Sequence, residues 1–181
     1  MTLLLLSLLL PDAEARSAGI TGQSTAGCTC HGSSADSTTS ATFSASTNTV
    51  AAGDSLLVSF VVATTSGSRS KGGLNVSASG GTLAAGSNDR LSGGQITHSS
   101  ATNMTSGSVT YTMTWTAPTT PGTYTLYGAG NAVNGNGASS GDGWNLGTYA
   151  ITVTAPCTDV DGDGYTAGGS NCGGDCNDSV A

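Results

Sequence analysis

"SVTYTMTW", residues 108–115, alternates without a break: Val109, Tyr111, Met113 and Trp115 on one side, Thr110, Thr112 and Thr114 on the other. Successive side chains of a strand point to opposite faces of a sheet, so this stretch reads as a half-buried strand whose inner face is large and apolar. "SLLVSFVVA" (55–63) is a near-continuous apolar run of strand length, the pattern expected of a strand buried in a sandwich core. "APTTPG" (117–122) is a turn by its proline and glycine content, and "TYTLYGAG" (123–130) and residues 147–155 supply two further strands. Between them the chain is rich in Gly, Ser and Asn. The expectation is an all-β fold, an antiparallel β-sandwich of immunoglobulin-like size over residues 41–155, closed by Pro156.

Composition agrees with this and narrows the partners. Charged residues are 8% and aromatic residues 5% of the 181 positions, and the long helix formers a bundle would need are scarce. Four basic against eleven acidic residues leave a net charge of -7, which argues against nucleic acid or an anionic membrane as a partner. The apolar run "LLLLSLLL" (3–10) is too short to span a bilayer, which takes about 20 residues. It is followed by "DAEA", an A-x-A-like cleavage site ending at Ala15, so residues 1–15 read as a signal peptide. No positive n-region precedes it, and the natural start is expected upstream of Met1. No other run is long enough to cross a membrane. The expected location is secreted, extracellular or at the cell surface, where thiols end in disulfides or bonded to a cofactor.

The chemistry concentrates in "AGCTCHGSS" (26–34), the centre of a segment, 16–40, that also holds the polar linker "GSSADSTTS". The nearest familiar pattern is C-x-x-C-H, in which two thiols bond to haem vinyl groups and the adjacent imidazole ligates the iron. Cys28, Cys30 and His31 supply all three groups, with one residue fewer between the thiols. Two other readings stand beside it: Cys28 and Cys30 as disulfide halves with an incidental His31, or a small Cys/His metal site with at most three ligands. The chain has two histidines, so a second axial ligand would be His98 in "QITHSS", with Met104 and Met113 behind it; Met113 shares its strand face with Trp115 and reads as core.

Four motifs carry a family resemblance: "GITGQSTAGCTCHG" (19–32), "THSS" (97–100), "MTWTAP" (113–118) and "YGAGNAVNGNGASSGD" (127–142). In this order, over residues 19–155, the chain resembles the choice-of-anchor V domain, a reeler-like secreted bacterial β-sandwich. The resemblance implies haem c at Cys28 and Cys30, with His31 and His98 as its axial ligands, His98 acting in cis or in trans. It departs from the family at the short C-x-C-H, which leaves open whether both thioethers form. "GNAVNGNGASSGDGW" (130–144) lacks the Lys and Ser and the following helix of a phosphate loop, and reads as a long inter-strand loop beside one haem face. No Ser/His/Asp arrangement stands out, and no enzyme activity is expected.

Residues 156–181 have no hydrophobic periodicity but hold five acidic residues and three cysteines, Cys157, Cys172 and Cys176. Asp159, Asp161 and Asp163 alternate in "DVDGDGY" (159–165), with Gly162 and Gly164 permitting a tight wrap, and a carbonyl at Tyr165 with Asp175 and Asp178 would complete an oxygen shell for Ca²⁺. No Glu stands at the twelfth position of an EF-hand. The segment resembles myxobacterial surface repeats similar to thrombospondin type 3 repeats, is expected to pair two of its cysteines, and is expected to continue beyond residue 181. Together these readings give an exported monohaem c-type cytochrome serving electron transfer to a redox partner protein or extracellular acceptor. A homo-oligomer or filament is the further option. The alternative is a calcium-dependent surface or adhesion module whose CTCH is structural.

Overall fold

The computed structural model describes residues 17–156 and is a two-sheet β-sandwich. The expected signal peptide and calcium repeat, with Asp159, Asp161, Asp163, Tyr165, Asp175 and Asp178 and the three C-terminal cysteines, lie outside the described residues. Eleven strands run β1 (Thr39–Ala45), β2 (Thr49–Ala51), β3 (Ser55–Thr64), β4 (Lys71–Ala78), β5 (Thr82–Ala84), β6 (Asp89–Ser92), β7 (Gln95–His98), β8 (Thr102–Asn103), β9 (Ser108–Thr116), β10 (Gly122–Val133) and β11 (Gly143–Thr154). One sheet has the order β1-β3-β9-β5; the other has the order β2-β11-β10-β4-β7-β6, with β8 also on β4. Every pairing is antiparallel except β2 on β11, which is parallel.

The alternation of β9 is realised as read. Val109, Tyr111, Met113 and Trp115 are buried, and they form one core with Phe60 and Val62 of β3, Leu74 and Val76 of β4, Leu126 of β10 and Ile151 of β11. Two of these aromatics also make hydrogen bonds: the Tyr111 hydroxyl ties the sheets by donating to the Gly72 carbonyl of β4 (2.8 Å), and Trp115 Nε1 donates to the Gly80 carbonyl in the β4–β5 connection (2.9 Å). A buried Tyr or Trp needs such a partner for its polar end. Burial and the hydrogen bond to Gly72 thus place Tyr111 directly beneath the strand that carries the site described below.

Two expectations are corrected. The apolar run of β3 is not buried on both faces: Leu56, Val58, Phe60 and Val62 point inward, whereas Leu57 is 64% exposed. β3 lies inside its sheet, but the described residues cover only one side of that sheet, so its odd positions meet solvent. The stretch 130–144 is not all loop either. Residues 130–133 continue β10 and 143–144 begin β11, paired as Asn131↔Trp144 and Ala132↔Gly143, which leaves the turn 134–142.

One buried charge yields a prediction. Asp89 on β6 is 8% exposed; its Oδ1 accepts from the Gly86 N–H (2.7 Å), while Oδ2 has no partner among the described residues. Burial raises its carboxyl pKa above 3.8, against the smaller opposing pull of the Gly86 hydrogen bond. The folded chain therefore holds this proton more tightly than the unfolded chain does, and that contribution to stability is lost as pH rises through the folded-state value. Asp89→Asn keeps an acceptor for Gly86 and removes the charge. It is expected to raise Tm by a few degrees at pH 7 and to leave it unchanged near pH 3. An equal shift at both pH values in thermal scans would contradict this origin.

Candidate functional site

The site is built on the outer face of the larger sheet, along one row of its register. Trp144 on β11 faces Asn131 on β10, and Asn131 faces Gly73 on β4. Beyond Gly73 the ladder is interrupted. β4 pairs with β8 at Lys71 and Gly72 and with β7 at Asn75 and Val76, so neither strand takes Gly73 or Leu74. The imidazole of His98, the last residue of β7, stands in that gap. Its Nδ1 lies 3.1 Å from the Leu74 amide nitrogen and 3.2 Å from the Leu74 carbonyl. With Nδ1 protonated the ring donates to the carbonyl; with Nδ1 bare it accepts from the N–H. Gly73 permits this arrangement, because a Cβ there would stand 2.5 Å from Asn131 Oδ1 and 2.6 Å from His98 Cε1.

Residues 17–36 lie across the same face and are held at many points. The Gly19 N–H donates to the His98 carbonyl (3.0 Å), the N–H groups of Gln23 and Ser24 both donate to Asn75 Oδ1 (2.8 Å each), and Ser24 Oγ meets Ser77 Oγ (2.7 Å). Gly27, at φ +84°, rests on the Trp144 ring so closely that any side chain there would collide with it. Trp144 Nε1 donates to the Gly32 carbonyl (2.8 Å), and the Asp36 N–H donates to the Trp144 carbonyl (2.8 Å). One indole thus grips both ends of the Cys28–His31 turn, in which Thr29–His31 form a single 3-10 turn. The polar linker is anchored as well: Asp36 pairs with Arg69, whose Nε and Nη2 also donate to the carbonyls of Gly141 (2.9 Å) and Asp142 (3.0 Å).

The result brings all four residues of the expected haem site, two thiols and two imidazoles, to one cleft. Cys28, Cys30, His31 and His98 line a cavity of about 60 Å³ with Leu74 and Asn131. His31 and His98 also line the adjoining cavity of about 150 Å³, with Lys71, Asn131, Gly135 and Asp142 among its other walls. His31 Nδ1 is bonded to Asp142 Oδ2 at 2.8 Å, and the Asp142 side chain is 1% exposed. Asp142 Oδ1 in turn accepts from the Asn134 N–H (3.0 Å). Neither histidine's Nε2 makes a hydrogen bond among the described residues, so each ring is held by one nitrogen and offers the other. A metal-ligating histidine is held in this way, its far nitrogen fixed by a carboxylate or a carbonyl.

Electrostatics favour uncharged donors. Burial is the main cause that lowers the His98 pKa; the Leu74 hydrogen bond opposes it, and the neighbouring His31 and Arg90 lower it further. Burial, with Cys30 beside it, pushes the Cys28 thiol up to about 12. Cys28 and Cys30 are both free thiols, not a disulfide. Among the described residues no three His, Cys, Asp or Glu side chains are grouped to hold a metal ion, so the Cys/His metal-site reading finds no cluster. Met113 is core, 1% exposed, as read. Met104 packs against the core beside Gly72 rather than lining either cavity.

Sequence reasoning did not single out Trp144, Asp142, Asn131 or Lys71. The first three fall inside 130–144, where the apolar-polar pattern is that of a loop and only the pairing of β10 with β11 places them on one face.

Among the described residues no helix is long and apolar enough to cross a membrane. No protein-family model matches the chain, and no curated protein sequence matches it. Among solved structures it is similar to the human F-spondin reeler domain, at 14% identity over 66% of this chain and 91% of that one, TM-score 0.42. It is similar to BslA, a bacterial hydrophobin, at 14% identity over 67% and 97%, TM-score 0.42. It is also similar to self-complemented MyfA, the major subunit of Myf fimbriae from Yersinia enterocolitica, at 15% identity over 62% and 98%, TM-score 0.38. These neighbours are reeler domains and related β-sandwiches.

Proposed function

We propose that the chain is an exported monohaem c-type cytochrome that carries electrons outside the cell or at its surface. The observation that supports this is the cleft itself: two free thiols and two imidazoles, each imidazole fixed through Nδ1 with Nε2 uncommitted, converge there from segments some 70 residues apart in the chain. The donor set fits haem c: Cys28 and Cys30 would hold it covalently, and His31 and His98 would ligate its iron. When bound, a haem supplies one-electron iron chemistry.

The chain's own residues orient that chemistry. Asp142 holds the His31 ring and the Leu74 backbone holds the His98 ring, so the two Nε2 atoms are preset. Two imidazole ligands leave no open position for a substrate or O₂, which favours electron transfer over catalysis. In the same reading residues 156–181 bind Ca²⁺, and the electron acceptor is a redox partner protein or an extracellular acceptor.

The test is direct. Protein exported from a host that attaches c-type haem is expected to show a Soret band and an intact mass increased by one haem, with the haem retained through acid-acetone extraction. A colourless protein would end this reading. Fully extractable haem would end covalent attachment at Cys28 and Cys30.

A further inference from the structure

The two edges of a haem differ in chemistry: the thioether positions lie on one side of the iron and two carboxylates on the other. The cleft has the same polarity. Cys28 and Cys30 line only the smaller cavity, Lys71 lines only the larger, and His31, His98 and Asn131 line both. We propose that the larger cavity receives the carboxylate edge, with the Lys71 ammonium as its counter-charge and the Asn131 amide as its hydrogen-bond donor. This rests on the haem reading above and adds the orientation of the group within the cleft.

Three observations carry the assignment. Asn131 is 6% exposed, yet neither amide atom makes a hydrogen bond among the described residues, and its Oδ1 is fully buried. The atom that can meet a carboxylate is Nδ2, which makes no hydrogen bond among the described residues and is free to donate; Oδ1 is an acceptor and takes nothing from a carboxylate. Among the described basic residues, Arg69 is engaged by Asp36, Thr38 and Thr39 and Arg90 by the Gly19 carbonyl, whereas the Lys71 side chain has neither an ion pair nor a hydrogen bond. A chain of net charge -7 that takes in two carboxylates needs a cation beside them. The carboxylate already in that wall, Asp142, has its two oxygens committed to His31 and the Asn134 N–H, so it does not compete for Lys71.

Lys71 is the only lysine in the sequence, which makes its amine readable by mass spectrometry after brief acylation. In the haem-bearing protein, Lys71 is expected to react about tenfold more slowly than in a folded, haem-free Cys28→Ser/Cys30→Ser variant, the protection expected of one charge-assisted hydrogen bond. Lys71→Gln in the haem-bearing protein is expected to lower the reduction potential, because a positive charge near the iron favours the reduced form, while Lys71→Arg retains it. The axial-ligand spectrum stays unchanged in both. Equal Lys71 reactivity with and without haem, together with an unmoved potential in Lys71→Gln, overturns this assignment alone. Protection of Lys71 in the haem-free variant by added phosphate would show a free-anion site and overturns it too. A wild-type protein that carries no haem overturns both this assignment and the function on which it rests.

Discussion

Trp144→Ala is expected to release the Cys28–His31 turn from the sandwich and to lower stability by about 3–5 kcal/mol, the range for removing a buried tryptophan. Trp144 is 5% exposed, its ring is the floor on which Gly27 rests, and its indole N–H holds the Gly32 carbonyl. Among the described residues nothing else grips the turn from both sides: His31 has the Asp142 contact, and the preceding residues hang from Asn75. Loss of the indole should therefore expose the amides of Thr29 and His31 to hydrogen exchange well before the strands open. Trp144→Phe is an intermediate case. It loses the N–H bond, about 1 kcal/mol, and the outer ring atoms Cη2 and Cζ3 nearest Gly27, so its destabilisation and its exchange at Thr29 and His31 should fall between wild type and Trp144→Ala. If exchange at Thr29 and His31 is unchanged in Trp144→Ala while the global stability falls, Trp144 is core and not the anchor of the turn.

How much of this was readable depends on where the information resides. β9 was legible because its period of two is uninterrupted and its inner residues are large; both follow from local sequence. β3 was legible as a strand, but its two-sided burial was not, since Leu57 meets solvent only because nothing described covers that side of the sheet. β4 could not be read at all. "KGGLNVSA" turns Leu74, Val76 and Ala78 inward, but its two adjacent glycines break the apolar alternation, and it becomes a strand by pairing with β10 along its length.

The same contrast runs through the site. Cys28, Cys30 and His31 announce themselves by adjacency, and His98 by being the second of two histidines. Asp142, Trp144 and Asn131 do not, because their roles exist only across the register of the larger sheet. Asp142 is 111 residues from the His31 it holds. The linker 32–40 reads as flexible by composition, and its fixation comes from Arg69 and Trp144, again distant in sequence.

His98→Ala tests whether that fixation decides ligation. An N-terminal segment free to swing would let His31 and its haem reach the His98 of a neighbouring subunit, and head-to-tail ligation of that kind generates rings or open filaments. The geometry points the other way. His31 and His98 of one chain line the same cavities, and the segment between His31 and β1 is tied to that chain's own Arg69 and Trp144. Ligation in cis then needs no association, whose entropy would oppose ligation in trans. The substitution should be tolerated by the fold, since the ring stands at a sheet gap and not in the core cluster. The expected result is a haem that stays attached but changes from low-spin six-coordinate to five-coordinate, in a protein whose oligomeric state by light scattering matches wild type. Loss of polymers on the same substitution would establish ligation in trans. A low-spin spectrum that survives would remove His98 from the iron, and Met104, packed beside Gly72 under the cleft, would have to turn outward to replace it.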